Sequence, residues 1–513
     1  MTERREESLF ARCQALVRDT LLAFFGNEGL FLLMAFISAA VLGNDALGWY
    51  REQTGAVYSF IVVPWGAALC LRRLQLRAGS VRQTGADVTA LFVLYVWLVV
   101  PFAIRFGATF NNMSAWYGYG VMYFGVYASV SEQRGEGRAR KMALTAGLFA
   151  LLAVIWSGVL LYCAATGTQY GVDFGRTVFG VSEGYLYAGL HYNTTAMIAL
   201  SLCGMCWVAS ACTQIKAVRW LYVIPAVMNM AVIVLTQSRT SRYALLLALA
   251  FGAFDIVRRA LKKRAGWMSV LAALACAAVV LVGGFEVCSR ATVAALTYYE
   301  QLAEDGQAVS LIPAAAAEEE PAETPQPEAG QAAEAPQPEA GQAAEAPQPE
   351  AGQATEEPQP EVTTRAAVDS TFSDRTNIWK NVFKLWKDEP KLMLIGNGVG
   401  NTGRKIVEGT IHEENGAVTV HNSYLQWTAD FGLIGAALQL VFLVIALRQA
   451  LRVLLAEKRQ SGALALCMCV AAALAVGLME STTLGDMTPT NLVFMYALAQ
   501  LSAMNREMEA SNV

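Results

Sequence analysis

Charge is scarce in this chain. Asp, Glu, Lys and Arg make up 16% of its 513 residues while 55% are apolar, and mean hydropathy is +0.38. A soluble globular domain carries about 25% charged residues, so water is excluded as the main solvent. No nucleic-acid partner is expected. The polar loops hold no DxD motif, and runs of acid such as Glu318 to Glu320 belong to a low-complexity tract, so a divalent cation finds no obvious protein ligands. Neither a metal nor a cofactor is expected. Histidine is limited to His191, His412 and His421. A cleavable leader pattern is absent, because the charged N-terminal stretch leads into a span. The ten cysteines fall almost entirely inside apolar runs, where they act as small apolar residues. Cys203 and Cys206 form a CxxC through helical spacing, with no second ligand pair.

Apolar runs near the roughly 20 residues that cross a bilayer are abundant. They lie near 29–47, 56–71, 87–104, 113–130, 142–165, 194–212, 218–235, 242–257, 268–288, 431–447, 462–480 and 488–504. The expected fold class is therefore an all-α polytopic membrane protein with about twelve transmembrane helices, or eleven if one of the weak runs (the first, second and eighth) does not span. Basic residues crowd alternate loops, among them Arg72, Arg73 and Arg77, Arg134 to Lys141, Arg258 to Arg264, and Arg448 to Arg459. The opposite short loops hold Arg51, Arg105, Arg176, Arg239 and Arg242. The positive-inside rule then makes both termini cytoplasmic. The organisation read from this pattern is an N-terminal membrane domain over 1–288, an extracytoplasmic loop over 289–430 between helices 9 and 10, C-terminal membrane helices over 431–504, and a tail over 505–513.

The loop is too long to be a mere connector. Residues 313–361 hold an 11-residue repeat, PQPEAGQAAEA, starting at Pro325, Pro336 and Pro347 and truncated at Pro358. Such a tract cannot bury enough apolar surface to offset chain entropy, so disorder and a spacer role are expected. Beyond it, SDRTNIWKNVFKLWKDEP predicts an amphipathic helix over 374–389, with Ser373 or Asp374 as N-cap and Pro390 as stop. Ile378, Trp379, Val382, Phe383 and Trp386 share a face, which predicts an interfacial helix with its tryptophans at headgroup depth. Gly398, Gly400 and Gly403 match GxGxxG, but the strand, helix and acid of a dinucleotide site are missing around them.

Two arginines stand out in LTQSRTSRYALL. Arg239 and Arg242 sit three apart at the outer junction of the seventh and eighth spans, where they read either as headgroup contacts or as a clamp for a lipid-linked anion. Arg375, near a helix start, is a surface cation or an anion site. His421, beside Asn422, opens the segment into the tenth span and reads as a cap or as a general base, since free imidazole titrates near pH 6.5. Glu480, near the outer end of the eleventh span, is a plain helix-end acid or a partner for His421 or an arginine.

Three motifs in order, SRTSR after a long apolar run, DRTNIWKNVFKLWKDEP with GNGVGN, and HNSYLQWTADFGLIG, resemble the O-antigen ligase and O-antigen polymerase superfamily of bacterial membrane glycosyltransferases. GLHYNTTA, Gly189 to Ala196, is similar to its upstream loop. The resemblance covers roughly Gly189 to Leu447, and the insert before Arg375 departs from it. It implies a GT-C-like fold in the bacterial plasma membrane and transfer of a glycan from an undecaprenyl-diphosphate carrier to a glycan, lipid or protein hydroxyl on the extracytoplasmic face. It carries the catalytic roles onto Arg239, Arg375 and His421, with Arg242, Asn422 and Glu480 as substrate-binding candidates. Membrane lipids are the other expected partners. The competing reading is a transporter or flippase of the lipid-linked glycan, although the paired broken helices of such proteins are not apparent.

Overall fold

In the computed structural model, residues 20, 24–42, 58–77, 85–105, 116–170, 179–182, 185–304, 370–398, 420–481 and 487–511 are described. The chain divides into two compact units, Met1–Leu311 with Asn377–Val513, and Ile312–Thr376. Of the second unit, only 370–376 are described. The repeat tract, Gly400, Gly403 and His412 lie outside the described residues.

The first unit is helical. Its helices are α1 (Glu28–Ile37), α2 (Val63–Arg77), α3 (Ala86–Arg105), α4 (Gly135–Thr166), α5 (Tyr192–Cys212), α6 (Lys216–Leu235), α7 (Arg239–Ala265) and α8 (Met268–Glu304). After α9 (Ser370–Asp388), which begins in the second unit, come α10 (Pro390–Ile395), α11 (Ser423–Leu455), α12 (Ala463–Val476) and α13 (Pro489–Ser511). Among the described residues five helices are long and apolar enough to cross a membrane, those in α4, α5, α6, α8 and α11, and shorter apolar helices occupy Glu28–Ala40, Ala86–Pro101 and Ala463–Val476. The chain is a membrane protein by this measure.

Two departures from the sequence reading are local. The chain is not purely helical: β1 (Gln169–Tyr170), β2 (Phe179–Ser182) and β3 (Tyr185–Ala188) form a small antiparallel sheet in the order β1-β2-β3, with Gly180 paired to Gln169 and to Tyr187. Aromatic residues on alternate positions of YLYA suit a short half-buried strand more than a helix. The ninth apolar run, 268–288, also continues as α8 to Glu304, so the loop's first residues are helical.

The centre of the fold is α13, buried on every side from Pro489 to Asn505 and packed by α5, α11 and α12. A helix buried on all sides belongs to the interior of a large bundle, and the polar side chains of α13, among them Asn491 and Gln500, are buried with it. By contrast α8 has 11% of its most apolar window buried, as suits a helix facing lipid.

Polar residues sort to the two ends of this bundle. At one end Arg138 donates to Glu507 and Gln460, Arg459 and Arg259 pair with Asp255, and Arg506 pairs with Asp87, which also accepts from Tyr127 and Ser502. Removing one member of such a buried pair typically costs about 3–5 kcal/mol, because the other charge is left uncompensated. The arginines of the basic loops are thus gathered at a single end, with α12 starting there and running to the opposite one.

Candidate active site

The opposite end is built around Val420 to Ser423. Asn422 N-caps α11, its Oδ1 accepting from Leu425 N at 2.9 Å, while its Nδ2 donates to Leu478 O at 3.0 Å. Ser423 N donates to Gly477 O at 2.8 Å and its Oγ to Glu480 O at 2.6 Å. These bonds pin the start of α11 to the turn that follows α12.

From behind, α9 holds the same segment. Trp379 Nε1 donates to Val420 O at 2.9 Å, and Gln426 Oε1 accepts from Val420 N at 2.9 Å. Val382 is fully buried and Trp386 nearly so, against Leu392, Val420 and Ala429. Burying a side chain of valine size stabilises by about 1.5–3 kcal/mol. The amphipathic face expected to meet headgroups is therefore spent on protein, and Phe383 is the large residue left exposed. Next, α10 begins with Pro390 at its first turn, so this proline starts a helix as well as following one.

Close packing of two glycines explains the GNG and DFG motifs. Asn397 N donates to Ala429 O at 2.9 Å and Gly398 N to Asp430 O at 2.8 Å. A Cβ on Gly396 would stand 2.2 Å from Asp430 O, and one on Gly432 would stand 2.2 Å from Leu394 O. Gly432, at φ 72° and ψ 176°, also kinks α11. Gln426 Nε2 donates to Asp430 and Trp97 Nε1 to Phe431 O, which complete the bed under the site.

On this bed His421 takes a left-handed φ of 51°. Its Nδ1 lies 3.4 Å from Oε2 of Glu480, whose other oxygen accepts from Asn193 Nδ2 at 3.1 Å. Glu480 is 6% exposed and the His421 side chain 38%. Among the described residues Nε2 of His421 has no partner, so the ring is held through one nitrogen and offers the other to the exterior. Asn193 sits in the first turn of α5, whose N-cap is His191.

Arg239 is the first residue of α7, behind the N-cap Ser238, and its side chain is exposed. Arg242, one turn on, is engaged: Nη1 donates to Thr292 Oγ1 and Nη2 to Gln237 O, both at 3.0 Å. Gln237, at φ 54°, is the other left-handed non-glycine residue among the described residues. Such conformations cost about 1–3 kcal/mol each and gather at functional sites. Met468 packs at the Gly252 position, and Arg459 meets Asp255. So α7 and α12 run antiparallel, and the 13 residues back from Gly252, about 20 Å at 1.5 Å per residue, bring Arg239 to the end where Glu480 lies. Capped N-termini of α5, α7 and α11 thus share this end, and each carries a partial positive charge.

Arg375 belongs to the second unit. The helix starts at Ser370 rather than at Ser373 or Asp374, so Arg375 stands beyond its first turn, half-buried. The structure therefore joins His421, Asn422 and Glu480 directly, and adds Asn193, Trp379 and Gln426, which sequence reasoning did not select. The one signal for Asn193 was its place in GLHYNTTA. Trp379 was visible only as part of an apolar face. Among the described residues no group of three or more His, Cys, Asp or Glu is placed to hold a metal ion.

These features define a helical membrane protein with a polar site at one end, organised around an acid-held imidazole. Residues 221–440 match the family model described as O-antigen ligase, and this match supports the resemblance to the O-antigen ligase/polymerase superfamily over that stretch. The match supports an O-antigen ligase-like membrane enzyme of surface polysaccharide assembly, and that family implies glycosyltransferase-like activity. The matched stretch contains Arg239, Arg242, Arg375, His421 and Asn422, while Asn193 and Glu480 fall outside it. No curated protein matches the chain.

Proposed function

We propose that the chain transfers a glycan from an undecaprenyl-diphosphate carrier to an acceptor hydroxyl on the extracytoplasmic side, by a single inverting displacement that needs no metal. Nε2 of His421 takes the acceptor proton as the oxygen attacks the anomeric carbon. The bond from that carbon to the diphosphate breaks, and its electron pair leaves with the phosphate oxygen. Arg239 and Arg375 hold the departing diphosphate, and Asn422 fixes the start of the helix that presents the base. Arg242 positions the Arg239 turn. The carboxylate of Glu480 orients the imidazole and stabilises its protonated form, as an acid behind a histidine base does.

The observation that carries this reading is the Asn193–Glu480–His421 chain, with an imidazole nitrogen that has no partner among the described residues, at the end where helix N-termini collect. Helix N-termini and arginine forks both suit phosphate oxygens. The crowding of basic residues at the other end supports an extracytoplasmic site through the positive-inside rule.

The test is transfer from purified lipid-linked donor to acceptor in proteoliposomes with chelator present, following released lipid diphosphate. His421→Ala, Arg239→Ala and Arg375→Ala are each expected to lower the rate by about 10² or more, the size of effect seen on removing a base or a preorganised charge contact. Their losses should not add, since they serve one displacement. Full activity of His421→Ala removes the base, and loss of activity with chelator overturns the metal-free mechanism.

A further inference from the structure

At the basic end, most of the length of α11 away from His421, a cavity of about 830 Å³ opens between the second half of α11 and the last turns of α13. We propose that it seats the headgroup of one anionic glycerophospholipid of the adjacent leaflet, with the phosphate on Arg448 and Arg452 and an acyl chain along Val444, Val441 and Leu440.

Its size falls within the roughly 300–1,000 Å³ of small-molecule sites. Its lining is divided along the helix axis. Arg448 and Arg452 stand one turn apart on α11, interleaved with Val444, Leu447 and Leu451. Val444 is 57% exposed, and the apolar strip continues up the helix through Val441 and Leu440, 51% and 61% exposed. From Arg448 to Leu440 is eight residues, or about 12 Å of helix. That is close to half of a hydrocarbon core of about 30 Å. With Leu440 near the bilayer centre, Arg448 reaches headgroup depth.

The charges leave room for one anion. Arg452 Nη1 meets Glu509 Oε1 at 3.0 Å, and Asn505 Nδ2 donates to the same oxygen at 3.1 Å, so this carboxylate is held against α13. Among the described residues Arg448 has no carboxylate partner, and its side chain is exposed. The three ionised groups sum to a single positive charge, which one phosphodiester neutralises. Basic pockets between membrane helices on the cytoplasmic side receive acidic lipid headgroups for this reason. The aliphatic stems of the two arginines also cover the apolar wall while their heads meet phosphate.

The proposal rests on α11 spanning the membrane and is independent of glycosyl transfer, so its test uses no activity. Delipidated full-length protein in detergent would be titrated with phosphatidylglycerol, phosphatidylethanolamine or phosphatidylcholine and followed by native mass spectrometry and thermal unfolding. One phosphatidylglycerol should stay bound under activation that strips phosphatidylcholine, and it should raise the unfolding midpoint. Arg448→Ala with Arg452→Ala should cut that retention about thirtyfold, near the contribution of two basic residues at the surface, whereas Glu509→Gln should increase it. Leu451→Trp fills the groove without touching a charge. Leu451 is 52% exposed, so this variant should fold and lose the lipid even if the double variant does not fold. Equal retention of all three lipids, stronger retention of phosphatidylethanolamine, or undiminished phosphatidylglycerol binding by Leu451→Trp would overturn the assignment.

Discussion

Substituting Gly432 by Ala tests whether the bed under His421 is rigid. The new Cβ would stand 2.2 Å from Leu394 O and 2.4 Å from Leu394 C, against the 3.4–4 Å of ordinary contact, and both obstacles are backbone. A peptide group would have to move by about 1 Å, more than a close-packed contact absorbs. The backbone at φ 72° and ψ 176° lies in a region open essentially to glycine alone, at a cost of about 1–3 kcal/mol for any other residue. Displacing α10 would also break Asn397 N to Ala429 O and Gly398 N to Asp430 O, each worth about 0.5–1.5 kcal/mol net. Together these penalties amount to about 2–6 kcal/mol against the docked arrangement. Each 1.4 kcal/mol is about a factor of ten in a population. The expectation is a local release: faster hydrogen exchange at residues 390–398 and at Val420, and a transfer rate lower by about tenfold or more. The bundle around α13 should keep its protection. Gly283→Ala is the control, because a Cβ there meets nothing within 4 Å. Wild-type exchange and wild-type transfer in Gly432→Ala would refute the reasoning.

Three further outcomes follow from the same geometry. Glu480→Gln keeps the volume and the bond from Asn193 but removes the charge behind His421; kcat should fall by about tenfold or more while KM moves little, and an unchanged kcat would dismiss the orienting role. Trp379→Phe keeps the ring and loses the bond to Val420 O, for about 1 kcal/mol. It should speed exchange around 420–426 with a small loss of rate, and Trp379→Ala should be worse on both readings. Arg242→Ala frees Gln237 O and Thr292 Oγ1 without removing a proposed diphosphate contact, so it should lower activity by less than Arg239→Ala does. The opposite ranking in the proteoliposome assay would exchange their assigned roles.

Much of this was legible in the sequence because membrane solvent imposes a simple rule. Long apolar runs became α4, α5, α6, α8 and α11, and the polar interruptions told one end from the other. The anomalous polar residues were legible as well: His421 and Glu480, 59 residues apart, were each marked by an unusual position and meet at 3.4 Å. The contacts that give them meaning were not legible. An indole donating to a carbonyl 41 residues away leaves no periodic trace, so Trp379 looked like one more apolar residue on an amphipathic face. The start of α9 was misread because Ser373 and Asp374 are good caps in isolation, whereas the helix takes in three earlier residues, Ser370 to Phe372. The small sheet was missed because its strands are only two to four residues long, too short for alternation to be counted.

The two arginines of SRTSR show why spacing alone underdetermines function. Three residues apart on a helix, they share a face, which left both headgroup contacts and an anion clamp open. In the structure, one is consumed by its own scaffold: Arg242 ties the left-handed Gln237 turn to Thr292 on α8, so its guanidinium is held by bonds that a ligand would have to break. Arg239 sits at the start of the same helix, exposed, directly after the N-cap Ser238. A residue that fixes a strained turn has to stay where it is, whereas one that follows a departing diphosphate has to reach. The same division recurs at His421, where Glu480, itself held by Asn193, engages one ring nitrogen, and among the described residues the second has no partner. In both cases the buried partner supplies rigidity and the exposed one supplies contact, which is the arrangement expected of a site that must order a proton transfer and a leaving group in a single step.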